Sequence, residues 1–206
     1  MGIWFDAMTS RHGRSRIGRL APEKAVIFAA ACVTHAMDVV KRSPRFLHLT
    51  TCEHIDEYAP WEALLLQYWN DLPSQADSAP SNEFAQLVEM TVDREAGTEA
   101  RERNLTSPGA ENLMWATLYA FARPESCSVG TCAAFESAYS SFQAVFNSYA
   151  TNPTNTDDPR GEELRTSPAL EEIDFQFNLL KSVEECMSPI VTYADLMKMT
   201  HLQTEA

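Results

Sequence analysis

Four residues in two parts of the chain belong to the types that hold zinc. Cys52 and His54 stand two positions apart, and Cys127 and Cys132 stand five positions apart. Three thiolates and one imidazole could complete a zinc tetrahedron. The spacing is looser than Cys-x-x-Cys, and a buried cysteine without metal explains each thiol equally well. We therefore predict no metal and no cofactor, and an enzyme with a cryptic Cys/His metal or thiol site stays open as the alternative.

No other pattern in the chain indicates a reaction. Its five cysteines and five histidines contain no spacing that selects one nucleophile and base. The sequence has no phosphate loop, GxGxxG, GxSxG or HExxH motif, and it lacks the Glu-x-x-His spacing of di-iron bundles. His35 lies in an apolar helical segment, which predicts a satisfied, partly buried histidine. We predict no catalytic residues and a non-enzymatic protein.

Several carboxylates are adjacent in the sequence, and we interpret pairs of this kind as solvated surface. Neighbouring residues on a helix do not face each other, so such pairs are poorly placed for shared acid–base work. Examples are Asp157-Asp158, Glu162-Glu163 and Glu184-Glu185.

Charge is distributed unevenly along the chain. The first twenty residues hold four arginines and one aspartate, a net charge of +3, whereas the other 186 hold 12 basic and 28 acidic side chains, a net charge of −16. An acidic body repels phosphate backbones, which argues against nucleic-acid binding, and attracts basic protein surfaces. General solubility is the alternative explanation for the acidity.

Neither a membrane span nor a secretory signal is predicted. The longest apolar run, Ala25–Val33, has nine residues and is too short to cross a bilayer. The first twenty residues lack the apolar segment of a signal peptide. We therefore predict a cytoplasmic protein with reduced thiols and no membrane partner.

The elements that carry these residues are predicted to be helices. Only seven glycines occur in the 206 residues, and no run alternates in polarity. We predict an all-α fold, a single compact domain of about seven helices over 21–206, preceded by a basic N-terminal tail over 1–20. The predicted helices run from Pro22 to Arg42-Ser43-Pro44, from Pro60 to Leu72, from Asn82, from Asn112 to Arg123, from Gly130 to Tyr149, from Pro168, and from Tyr193 to Leu202. Thr151–Ser167 is predicted to be a loop.

The Pro168 helix has the most specific pattern. Ser167 is a favourable N-cap, and proline is tolerated in a first helical turn. Apolar residues recur every three or four positions and predict one buried stripe: Leu170, Ile173, Phe177, Leu180, Val183 and Met187. Negative charge at Glu171, Glu172 and Asp174 suits the helix N-terminus.

The same helix also resembles a known family. Ser167-Pro168, Glu171-Glu172, Phe175-Gln176-Phe177 and Glu185-Cys186 are similar to the C-terminal pattern of the YjaG-like family, domain of unknown function 416, with phenylalanine at the family's tryptophan positions. In outline the resemblance extends from about Arg16 to Met187. It implies a compact all-α bacterial cytoplasmic protein and supplies no catalytic residues. A looser similarity connects the chain to the acidic immunity proteins of bacterial toxin systems.

These observations predict an interaction protein that binds and neutralises a basic bacterial toxin, such as a nuclease. Complementary charge would speed its association and aid its specificity. The predicted partner-binding residues are Asp157, Asp158, Glu162, Glu163, Glu171, Glu172 and Asp174. A homo-oligomeric scaffold, with the chain as a homodimer, and a DNA mimic are further alternatives.

Overall fold

The computed structural model describes residues 2–9, 15–44, 108–117, 119–120, 130–151 and 158–186. This part of the chain is helical and contains no strand, which confirms the predicted all-α class. Its six α-helices are α1 (Ile3–Met8), α2 (Pro22–Lys41), α3 (Pro108–Thr117), α4 (Gly130–Tyr149), α5 (Pro159–Arg165) and α6 (Ser167–Glu185). The helices predicted near Pro60, Asn82 and Tyr193 lie outside the described residues.

Proline positions explain several helix limits. α2 begins with Pro22 and ends before Arg42, as predicted, and α4 has the predicted limits. α3 begins at Pro108, four residues before the predicted start at Asn112. Proline is compatible with a first turn, where its missing N–H has no helical partner.

The predicted loop between Thr151 and Ser167 contains the short helix α5, so that prediction is wrong in part. The Asp158 side chain accepts a hydrogen bond from the Gly161 amide at 2.9 Å and caps the helix. Aspartate before proline is a helix start as well as a turn signal, and composition alone does not separate the two. α6 begins at Ser167 itself, with Thr166 at the N-cap position.

Among the described elements α4 is the central helix. α2, α3 and α6 all pack against α4, and α6 also contacts α2. The α3–α4 approach is close because Gly109 has no side chain. A Cβ there would lie 2.0 Å from Ser148 Oγ and 2.7 Å from the Ala144 carbonyl oxygen.

Of the segment predicted to be a basic tail, residues 2–9 and 15–20 contribute to the helical core. Trp4, Met8 and Ile17 are completely buried. The Trp4 ring lies against an aromatic group on α1 and α4, with ring centroids 5.0–6.0 Å away. Burial of large aromatic side chains is among the larger contributions to a core. Arg16 and Arg19 therefore belong to a segment that packs against the core.

The buried face of α6 contains Ile173, Leu180 and Val183 of the predicted apolar stripe but not Phe177. Phe177 is 37% exposed, whereas Gln176 is completely buried. Consecutive residues on a helix point about 100° apart, so the two side chains occupy different faces. The buried residues of α6 are Ala169, Glu172, Ile173, Gln176, Leu179, Leu180, Ser182 and Val183.

Candidate functional site

A chain of buried polar side chains crosses the core from α1 to α2. Trp4 Nε1 donates to Gln176 Oε1 at 2.9 Å. Gln176 Nε2 donates to Glu172 Oε1 at 2.8 Å and to the Ala138 carbonyl oxygen at 3.0 Å. Glu172 Oε2 lies 2.7 Å from Nδ1 of His35. Each polar group has a partner, which is the condition under which burying such groups is tolerated.

His35 is the satisfied, partly buried histidine that the sequence predicts. Its ring stacks on Phe175 with centroids 3.7 Å apart, and its Nδ1 faces the fully buried Glu172 carboxylate. Cys32 lies one turn earlier on α2. Burial, reinforced by the Glu172 charge, raises the pKa of the Cys32 thiol well above its ordinary value. This thiol is therefore a core group rather than a nucleophile.

Glu163 fixes the start of α1. Its carboxylate accepts the Ile3 amide hydrogen, which has no helical acceptor because it opens the helix. Burial raises the pKa of the Glu163 carboxyl, and the nearby Ile3 and Trp4 amides offset part of the rise. The carboxylate therefore joins α5 to α1 inside the protein.

The predicted partner-binding residues separate into inward and outward groups. Glu162, Glu163 and Glu172 are buried. The expectation that the pair Glu162-Glu163 forms solvated surface is therefore wrong. Asp158 is exposed, but it caps α5 and lies 3.6 Å from Arg165. Asp157 lies outside the described residues. Of the seven, only two are exposed and unpaired with a cation among the described residues, Glu171 and Asp174.

These two acids belong to a continuous exposed row, which we name the outer face of α6. Its members, spaced three or four positions apart, are Glu171, Asp174, Phe177, Lys181 and Glu184. The row carries three carboxylates and one ammonium group, with an aromatic ring at its centre. Phe177 and Glu184 were not predicted in this role. The spacing of three or four positions that connects them to Glu171 is present in the sequence. Phe177 also fits the spacing of the apolar residues, however, and was therefore assigned to the core.

Two cations of the chain lie at the C-terminal end of this face. Arg16 Nη2 pairs with Glu184 Oε2 at 3.0 Å, and its Cζ lies 4.9 Å from the centroid of the Phe177 ring. Lys24 Nζ donates to the carbonyl oxygens of Glu184 at 3.3 Å and Cys186 at 2.9 Å. These carbonyls close α6, where the helix dipole favours positive charge.

The structure does not test the alternative of a zinc site. Cys52, His54 and Cys127 lie outside the described residues, and of Cys132 only the backbone is described. Within the described part, no three histidine, cysteine or acidic side chains form a group that could hold a metal ion. Cys32 is a free, buried thiol. None of the described helices has both the length and the apolar character needed to cross a bilayer.

Comparison with protein-family models, with curated proteins and with solved structures gives no match. The resemblance to the YjaG-like family therefore stays a prediction from the sequence.

Proposed function

We propose that this chain is a non-enzymatic binding protein that uses an acidic surface to hold a basic protein. In its most specific form it is an immunity-type inhibitor of a cationic bacterial toxin, such as a nuclease. The supporting observation is the outer face of α6, on which Glu171 and Asp174 are exposed without a cationic partner among the described residues.

The arrangement of the outer face suits a partner with basic and apolar groups. Carboxylates raise the local concentration of a cationic protein and orient its approach. Phe177, 37% exposed among these charges, offers an aromatic surface to bury. Buried aromatic residues contribute much of the affinity of protein interfaces, whereas charges at the rim contribute more to rate and specificity.

The buried polar groups are better explained by stability than by catalysis. Glu172 forms hydrogen bonds with His35 and Gln176, and Gln176 also donates to a backbone carbonyl oxygen of α4. Glu163 accepts a backbone amide hydrogen at the start of α1. A catalytic carboxylate needs access to a substrate proton. Glu171 and Asp174 are exposed on the outer face of α6, where their surroundings favour recognition.

Charge reversal on this face tests the proposal. A Glu171→Lys/Asp174→Lys protein should lose retention of a basic protein from producing cells at low salt. With that partner purified, the association rate constant should fall by about tenfold and become less dependent on salt. Two single reversals, Asp174→Lys and Asp38→Lys, are matched in charge, and Asp38 is an exposed acid on α2.

Two outcomes would contradict the proposal. One is the absence of any retained basic protein at low salt. The other is an equal loss with Asp38→Lys and Asp174→Lys, which would assign binding to net charge alone. The immunity form requires one further result: the purified chain must suppress the activity of its partner, and the double variant must suppress it less.

A further inference from the structure

We infer that the C-terminal half of the outer face of α6 is an arginine-binding seat, formed by the Phe177 ring and the Glu184 carboxylate and occupied within the chain by Arg16. This inference rests on the proposed function for its external ligand, an arginine side chain of the basic partner. The seat itself is a property of the described residues.

The geometry of Arg16 shows what the seat recognises. Its guanidinium carbon lies 4.9 Å from the Phe177 centroid, while one of its nitrogens lies 3.0 Å from Glu184 Oε2. A planar guanidinium can stack on a ring and pair with a carboxylate at its edge at the same time. A lysine ammonium has no plane to stack, so the pairing of these two groups favours arginine.

A second cation supports the same interpretation. Lys24 Nζ binds two backbone carbonyl oxygens at the end of α6, those of Glu184 and Cys186. Its site consists of backbone atoms and is independent of the acidic side chains. An aromatic ring, a carboxylate and the negative end of a helix dipole therefore lie together and attract positive charge.

Arg16 holds its seat in a position that an external arginine can reach. The side chains of Arg16 and Glu184 are 23% and 33% exposed, and the Phe177 residue is 37% exposed. Solvent-exposed ion pairs and cation–π contacts are individually weak. An arginine supplied by a partner that also contacts Glu171 and Asp174 can therefore displace Arg16. Arg16 thus competes with external cations for the seat, and a weakly binding cation does not displace it.

The test uses hexa-arginine and hexalysine peptides as probes, with binding measured by fluorescence anisotropy at low salt. Arg16→Gln vacates the seat and should tighten hexa-arginine binding by about threefold, with a smaller change for hexalysine. Arg19→Gln is the matched control, since Arg19 is exposed in the same segment and carries the same charge. Adding Phe177→Leu to Arg16→Gln should remove the preference for arginine.

Several results would overturn the seat. They are an equal gain for both peptides, an equal gain with Arg19→Gln, no gain at all, or a preference for arginine that survives Phe177→Leu. Circular dichroism of each variant establishes that the helices remain folded. Failure here is distinguishable from failure of the proposed function. Loss of partner binding in Glu171→Lys/Asp174→Lys, together with no arginine-specific gain in Arg16→Gln, would reject only the seat.

Discussion

The hydrogen bond between Trp4 and Gln176 can be tested by a double-mutant cycle. It joins residues 172 positions apart and is the buried polar link between α1 and α6. Trp4→Phe removes the indole N–H and leaves Gln176 Oε1 without its donor. Gln176→Leu removes the acceptor and also withdraws a hydrogen bond from Glu172 Oε1 at 2.8 Å.

The expected magnitudes follow from burial. An unpaired buried polar group costs about 1–3 kcal/mol, and a charged one costs more. Trp4→Phe should therefore lower the free energy of unfolding by about 1–3 kcal/mol, plus a contribution from lost ring volume. Gln176→Leu should cost more, because it also leaves a carboxylate oxygen unsatisfied. In the double variant neither partner of the bond is left behind, so we expect a coupling energy of about 0.5–3 kcal/mol.

Urea unfolding followed by circular dichroism measures all four corners of the cycle without relying on tryptophan fluorescence. The total stability of such a domain is about 5–15 kcal/mol, so the changes are within range. Trp115→Phe is the matched control, because Trp115 lies on α3 and should combine additively with Gln176→Leu to within about 0.5 kcal/mol. Additivity between Trp4→Phe and Gln176→Leu would refute the docking of α1 against α6.

Three further predictions concern stability. Burial raises the folded-state pKa of Glu163 above 4.5, so the stability contributed by this group should rise as the pH falls from neutral toward 4.5. Urea unfolding should show this rise in the wild type and less of it in Glu163→Gln. A wild-type stability that falls relative to Glu163→Gln over the same pH range would contradict the prediction. His35→Leu should cost about 1–3 kcal/mol because it leaves Glu172 Oε2 without its hydrogen-bond partner, and adding Glu172→Leu should restore part of the loss in thermal unfolding. Gly109→Val should cost about 1–3 kcal/mol through overpacking, whereas Gly18→Val, whose nearest neighbour atom is 3.8 Å away, should stay within about 0.5 kcal/mol in the same assay.

The sequence predicts helices well where local signals agree. α2 lies between Pro22 and Pro44 and carries a regular apolar spacing, so its limits followed from the chain. The first helix was missed for a compositional reason. Arginines and glycines suggested a tail, although Trp4 and Met8, four positions apart, already had the spacing of a buried helical face.

Whether an acidic side chain is buried or exposed was harder to predict, because it depends on which face of the helix packs against the core. Glu171 and Glu172 are neighbours in sequence, yet one is exposed and the other completely buried. The predicted stripe included Phe177, which is exposed, and omitted Glu172 and Gln176, which are buried. The burial of Glu172 is explained by His35, which lies 137 positions earlier in the chain. Local propensity contains no information about such a partner.

The two halves of the outer face should act on different steps of binding. Glu171 and Asp174 have no cationic partner among the described residues, so their charge reaches approaching molecules, whereas Glu184 is paired with Arg16. Unpaired exposed charge governs diffusional encounter, while burial of an aromatic ring governs how long a complex lasts. Reversing Glu171 and Asp174 should therefore lower the association rate constant, and Phe177→Ala should raise the dissociation rate constant. If both variants changed only the dissociation rate, the division of this face into a steering half and an anchoring half would be wrong.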